Sequence, residues 1–361
     1  MSGIERSRHG RLQVAQPVAV DDDRSHRQVA AEAYEGEDKA GYHWRAAAYA
    51  ILPRVRTGLV TDERFRDHVA PREHPERPER LVAIERAIAE AGLVARCRRI
   101  AARPATRAEL AVVHTAEYLD ALEATVAKGG SGFLDPDTFF SDGTWTATLL
   151  AAGGVLDLAR LVATGELDNG AAFVRPPGHH ATADRAMGFC LVNHVAVAAA
   201  HLRVMGKRVA IFDWDVHHGN GTEAIFDEDP EVLYLSTHEW PQYPGTGPAE
   251  HTGRGRGLGA TVNVPLPPGT DADAYLAAYR ARIRPAIADF APDVILVSAG
   301  YDAHRDDPLG GLELEDDTYG VMTHDLLTIQ PRLCAILEGG YDLGAIARSS
   351  VRTLQTLLGA P

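Results

Sequence analysis

The chain has 361 residues, 45% of them hydrophobic and 24% charged, which suits a soluble globular α/β protein and excludes wholesale disorder, collagen-like repeats and coiled coils. The 50 acidic and 36 basic side chains leave a formal net charge of −14, an argument against nucleic acid as the main ligand. Cys97, Cys190 and Cys334 are too few and too scattered for a disulfide framework or a Cys-rich zinc finger, so a reducing, cytoplasmic setting is expected.

Residues 1–56 mix charge clusters such as Asp21-Asp22-Asp23 with an Ala-rich stretch and no clean period. They read as an N-terminal extension, mobile or loosely docked. Met1–Gly10 has no apolar segment of the export type, and apolar runs such as Val195–Ala200 are too short to cross a bilayer. No membrane is expected as a partner.

From Thr57 onward, short β-branched runs alternate with helical patterns, as in βαβ units around a parallel sheet. The expected strands are Gly58–Thr61, Ala171–Val174, Arg208–Phe212, Val232–Ser236, Val294–Ser298 and Ala335–Leu337. Helices are expected over Arg80–Ala91, Thr144–Thr164 and Asn193–Met205, the last capped by Asn193, with Gly92, Gly165 and Gly206 as their stops. Two more run over Asp271–Phe290, kinked near Pro285, and Asp316–Ile329. No Pro/Ser-rich linker interrupts the alternation, so residues 57–361 read as one domain.

In a parallel sheet, function collects in loops leaving the carboxyl ends of the strands. Four such loops concentrate His, carboxylate, Gly and Tyr: Pro176-Pro177-Gly178-His179-His180, Asp213 to Gly221, Ala299-Gly300-Tyr301-Asp302, and Glu338-Gly339-Gly340-Tyr341. Asp215 and His217 stand at i and i+2, so on an extended segment both project to one face. With Asp302 from another strand end they make a three-ligand site with an open position, which zinc, manganese or iron would accept. His179 and His180 beside a metal would supply a general base and acid, with Asp213 and Asn220 as the groups that tune them. Tyr341 is either an oxyanion donor or a packed aromatic. Gly188-Phe189 and Tyr243 read as walls of a narrow apolar channel or as ordinary core aromatics.

Taken in order, these strings resemble the histone deacetylase family, in particular its class II branch and the bacterial histone-deacetylase-like amidohydrolases. The resemblance starts near Thr57-Gly58-Leu59-Val60, passes through His74-Pro75-Glu76-Arg77-Pro78-Glu79-Arg80-Leu81, and continues beyond Tyr341. It implies a three-layer α/β/α fold of the arginase–deacetylase type with a central, mostly parallel sheet. It implies one zinc ion on Asp215, His217 and Asp302, His180 as general base and acid with His179 as its electrostatic partner, and Tyr341 at the transition state. Asp213 would back His179, and Asn220 is the residue that marks class II. A structural potassium on Asp213, Asp215, His217 and Ser236 is likewise implied, as is an acyl-lysine tunnel walled by Gly188, Phe189 and Tyr243.

The implied substrates are acylated lysines in peptides or proteins. Acetylpolyamines and other small N-acyl amines are the nearest alternative. Leu309 stands where polyamine-selective relatives carry an acidic residue, while the acidic loop around Asp135 and Asp137 would suit a cation. An arginase-like two-metal site would need more Asp and His than the single Asp215–His217 pair, and a non-catalytic acyl-lysine binding protein would not need His179, His180 and Tyr341. Acyl-chain preference and oligomeric state stay open, with Glu250–Gly259 as a loop for contacts in a homo-oligomer or for motion.

Overall fold

The computed structural model describes residues 29–37, 43–51 and 55–359, divided between two units, Met1–Arg54 and Val55–Pro361. In the first unit, Val29–Glu37 and His43–Ile51 pair antiparallel, with Val29 opposite Ile51 and Glu37 opposite His43. The sequence reading assigns no strand there. Both segments are Ala-rich, and alanine carries little strand preference. The remainder of residues 1–54, Asp21-Asp22-Asp23 included, lies outside the described residues.

Beside a small antiparallel pair, Gly132–Phe133 with Phe139–Phe140, the strands of the second unit are β1 Thr57–Val60, β2 Arg98–Arg99, β3 Asn169–Ala172, β4 Val209–Asp213, β5 Val232–Glu239, β6 Thr261–Leu266, β7 Val294–Ala299 and β8 Leu333–Leu337. These eight form one sheet in the order β6-β5-β4-β7-β8-β3-β1-β2, and every neighbouring pair in it is parallel. Helices cover both faces, giving the α/β/α layering. That explains why β3, β4, β7 and β8 are buried along their whole length and why β4, β7 and β8 read as largely apolar runs. All six expected strands are present within a few residues. The sequence reading omits β6, an edge strand holding Pro265, whose missing N–H an edge tolerates, and the two-residue β2.

Glu79–Glu90, Thr144–Ala163 and His194–Val204 form the expected helices. The Asn193 side chain accepts the Ala196 N–H at 2.9 Å, as an N-cap does. The kinked helix resolves into Ala272–Ala278, a π turn at Tyr279–Ile283, and Arg284–Phe290 with Pro285 in its first turn. The π turn absorbs the proline's missing donor. Thr144–Ala163 is 20 residues long and apolar enough to cross a membrane by length and composition. Most of it is buried against the rest of the domain, so here the apolarity is that of a core helix.

Two buried histidines brace the approach to the Pro176–His180 loop. His194 Nε2 donates to the Pro176 carbonyl at 3.0 Å, and His114 Nε2 accepts the Asn193 N–H, also at 3.0 Å. Burial pushes each down to about 4. An unfolded histidine binds its proton near pH 6.5, so as pH falls the unfolded chain takes up protons before the folded one does. Stability is therefore full above about pH 6.5 and is lost progressively down to about pH 4. The urea midpoint should fall across that window, with a shallower fall in His114→Gln; a midpoint that stays constant would contradict this.

Candidate active site

Strands β4, β7, β8 and β3 are consecutive in the sheet, so the loops after them meet above one edge. Asp213 ends β4, with Asp215 and His217 just beyond it, Asp302 follows β7, and Glu338–Tyr341 follow β8. The ligand atoms of Asp215, His217 and Asp302 lie within 4.8 Å of one another, and all three residues are buried. His217 Nδ1 is 3.0 Å from Asp215 Oδ1 and 3.3 Å from Asp302 Oδ2.

This set fits a divalent cation. Asp215 Oδ2 accepts the Gly339 N–H at 2.8 Å, and Asp302 Oδ1 accepts the Val216 N–H at 2.8 Å. Asp302 Oδ2 is buried without a hydrogen bond, and burial followed by the Asp215 charge pushes that carboxyl up to about 7. Side chains are excluded around the carboxylates. A Cβ at Gly300 would stand 2.0 Å from Asp215 Oδ2, and one at Gly339 would stand 1.9 Å from Asp302 Oδ2. Two carboxylates and an imidazole with an orphaned oxygen form a mixed N/O donor set suited to zinc.

The tandem imidazoles lie side by side, with centroids 4.0 Å apart and planes tilted by 41°, but have different partners. His179 Nδ1 is 3.0 Å from Asp213 Oδ2. Burial alone would lower His179, but Asp215 and then Asp213 outweigh it and hold the ring up at about 10. His180 Nδ1 is 2.8 Å from Asn220 Oδ1. Burial, then the neighbouring His179 and His217, press its pKa well below the ordinary value. With Nδ1–H donating to the Asn220 oxygen, Nε2 is left as the basic nitrogen. Ser236 lies opposite Asp213 in the β4–β5 register, and its hydroxyl meets His238 Nδ1 at 2.9 Å.

A pocket of 240 Å³ reaches His180 and His217 between Gly188, Phe189, Tyr243 and Leu309, with Tyr341 and Asp137 also on its walls. The Tyr243 ring stands edge-on to His180 at 5.1 Å, and Phe189 edge-on to Tyr341 at 6.0 Å. Phe189 has φ 67°, a strained conformation for a bulky residue that is held by a bond from its N–H to Thr138 Oγ1 at 3.1 Å. Burial keeps the Tyr341 phenol protonated and therefore a donor.

Several supporting residues escape sequence reasoning. Glu338 Oε2 accepts the N–H groups of Gly178 at 2.6 Å and His179 at 3.1 Å, tying two of the loops together. Glu338 and Cys190 lie close enough to His179 to form a second group of ligand-type atoms. Arg80, fully buried, donates to the Gly340 carbonyl at 2.6 Å and to that of Glu338, and sits 5.0 Å from the Tyr341 ring centre. Glu76 neutralises Arg80 at 3.0 Å and Arg175 at 2.7 Å. An Arg or Glu far along the chain carries no signal of burial, so only the His74–Leu81 string hinted at this cluster.

Residues 74–357 match the family model described as histone deacetylase domain. Histone deacetylase 15 of Arabidopsis thaliana is 44% identical over 314 residues, covering 84% of this chain and 57% of the relative. Polyamine deacetylase HDAC10 of Homo sapiens is 41% identical over 302 residues, covering 79% and 45%. The chain thus spans about half the length of these two relatives. The solved HDA15 HD domain superposes with a TM-score of 0.83 at 42% identity, covering 85% of this chain and 89% of that one. The chain belongs to the histone deacetylase family.

Proposed function

We propose that the protein hydrolyses N-acyl amides, acyl-lysine side chains of peptides or proteins above all, at a single zinc ion. The carrying observation is the opposite pairing of two adjacent imidazoles, one on Asp213 and one on Asn220, beside the Asp215–His217–Asp302 cluster. Asp215, His217 and Asp302 would hold the zinc, which when bound polarises the acyl carbonyl and the attacking water. His180 takes the water's proton at Nε2, because its Nδ1 is occupied by Asn220. The Tyr341 phenol donates to the oxygen that becomes an oxyanion on attack. His180 then returns the proton to the departing amine nitrogen, while His179, held cationic by Asp215 and Asp213, stabilises the negative charge. A structural potassium on Asp213, Asp215, His217 and Ser236 belongs to the same proposal.

The pocket is narrow, and its walls Phe189, Tyr243 and Leu309 suit a methylene chain. Apolar Leu309 offers no anchor for a second ammonium, which favours lysine. Asp137 on the pocket wall supports the rival, a cationic acetylpolyamine, as does the polyamine deacetylase among the relatives. Turnover of an acetyl-lysine peptide should exceed that of acetylputrescine and acetylspermidine, and a strong preference for the polyamines would overturn the choice. Tyr341→Phe should lower kcat by about 10²–10³-fold with zinc content unchanged; turnover like that of the wild type would refute the assigned role.

A further inference from the structure

Asp307 has no part in the chemistry above, yet its carboxylate is only 6% exposed. It lies in the loop after β7, five residues beyond Asp302. Its hydrogen-bond partners are backbone donors: Oδ1 accepts the Leu309 N–H at 3.0 Å, and Oδ2 accepts those of Tyr341 at 2.6 Å and Asp342 at 3.1 Å. Leu309 and Tyr341 both line the pocket, from different loops. Asp342 caps the 15-residue helix Leu343–Leu357 through the Ala345 N–H at 2.7 Å. The Asp307 charge therefore stands just ahead of a helix N-terminus, where a negative group is favoured.

We propose that Asp307 is a positioning residue that clamps the Leu309 wall to the Tyr341 backbone and so fixes the phenol against the reacting carbonyl. Arg80 holds the same loop through the Glu338 and Gly340 carbonyls, and Asp307 holds it through N–H groups, so the segment around Tyr341 is gripped from both sides. Bonds from N–H groups to a charged carboxylate are short and strong. Removing the carboxylate leaves buried donors unmatched and frees the tyrosine to shift. A displacement of about 1 Å at a reacting group costs about 10²-fold in rate. This inference rests on the deacylase reading for its effect on rate, but the clamp itself can be read without substrate.

Asp307→Asn keeps the shape but replaces one acceptor oxygen with a donor. Its kcat on an acetyl-lysine peptide should fall about 10–100-fold, with KM changed by less than about threefold. In a Tyr341→Phe background the same substitution should lower kcat by less than about twofold, because the group it positions is gone. Amide hydrogen exchange at Tyr341 and Asp342 should accelerate in Asp307→Asn. A kcat within about twofold of wild type, equal losses in both backgrounds, or unchanged exchange would each overturn the proposal. Asp307→Ser, read the same way, replaces the amide variant if that fails to fold. An inactive wild type would refute the acyl-lysine reading and the rate effect together, while faster exchange would still establish the clamp.

Discussion

Four carboxylates, Asp213, Asp215, Asp302 and Glu338, are fully buried within one cluster of strand ends, and matching their charge is the constraint on which the rest depends. Burying an ionised group costs several kcal/mol unless it is paired and hydrogen-bonded. Asp213 is matched by His179, Asp215 by His217 and the Gly339 N–H, and Glu338 by the N–H groups of Gly178 and His179. Asp302 is left with an oxygen that has no hydrogen bond. That oxygen is free for the proposed cation. The glycines beside these carboxylates and the all-parallel sheet follow from the same need, since side chains would fill the space and another topology would not bring these strand ends together.

That cluster also separates two otherwise similar imidazoles. His179 and His180 are adjacent in sequence and in space, yet one faces a carboxylate and the other an amide. Asp215 and then Asp213 hold His179 charged, while burial and the neighbouring His179 and His217 press His180 towards its neutral form. Behind them, Glu76 between Arg80 and Arg175 forms a second buried ionic group, and Arg80 carries its influence to the Tyr341 loop.

Much of this was legible in the chain. Strands β4, β7 and β8 read plainly because burial on both faces demands apolar runs, and Asp215, His217, Asp302 and Tyr341 stand in short strings directly after them. What stayed hidden depends on tertiary contact. Arg80, Glu76 and Asp307 look like surface charges, since nothing local distinguishes a buried ion from a solvated one. Strand β6 is masked by Pro265, the pairing of Val29–Glu37 with His43–Ile51 by its alanines, and only the fold shows that the apolar Thr144–Ala163 is a buried core helix. Of the 16 histidines, His114 and His194 looked incidental, and only the fold shows them bracing a loop of the pocket.

The central claim is that the Asp215–His217–Asp302 cluster holds one divalent ion. Elemental analysis of zinc-loaded, desalted protein tests it most directly. One zinc per chain, lost when Asp302 is replaced by Ala, is the predicted result. Two manganese ions per chain, or zinc retained in the Asp302→Ala variant, would contradict the account.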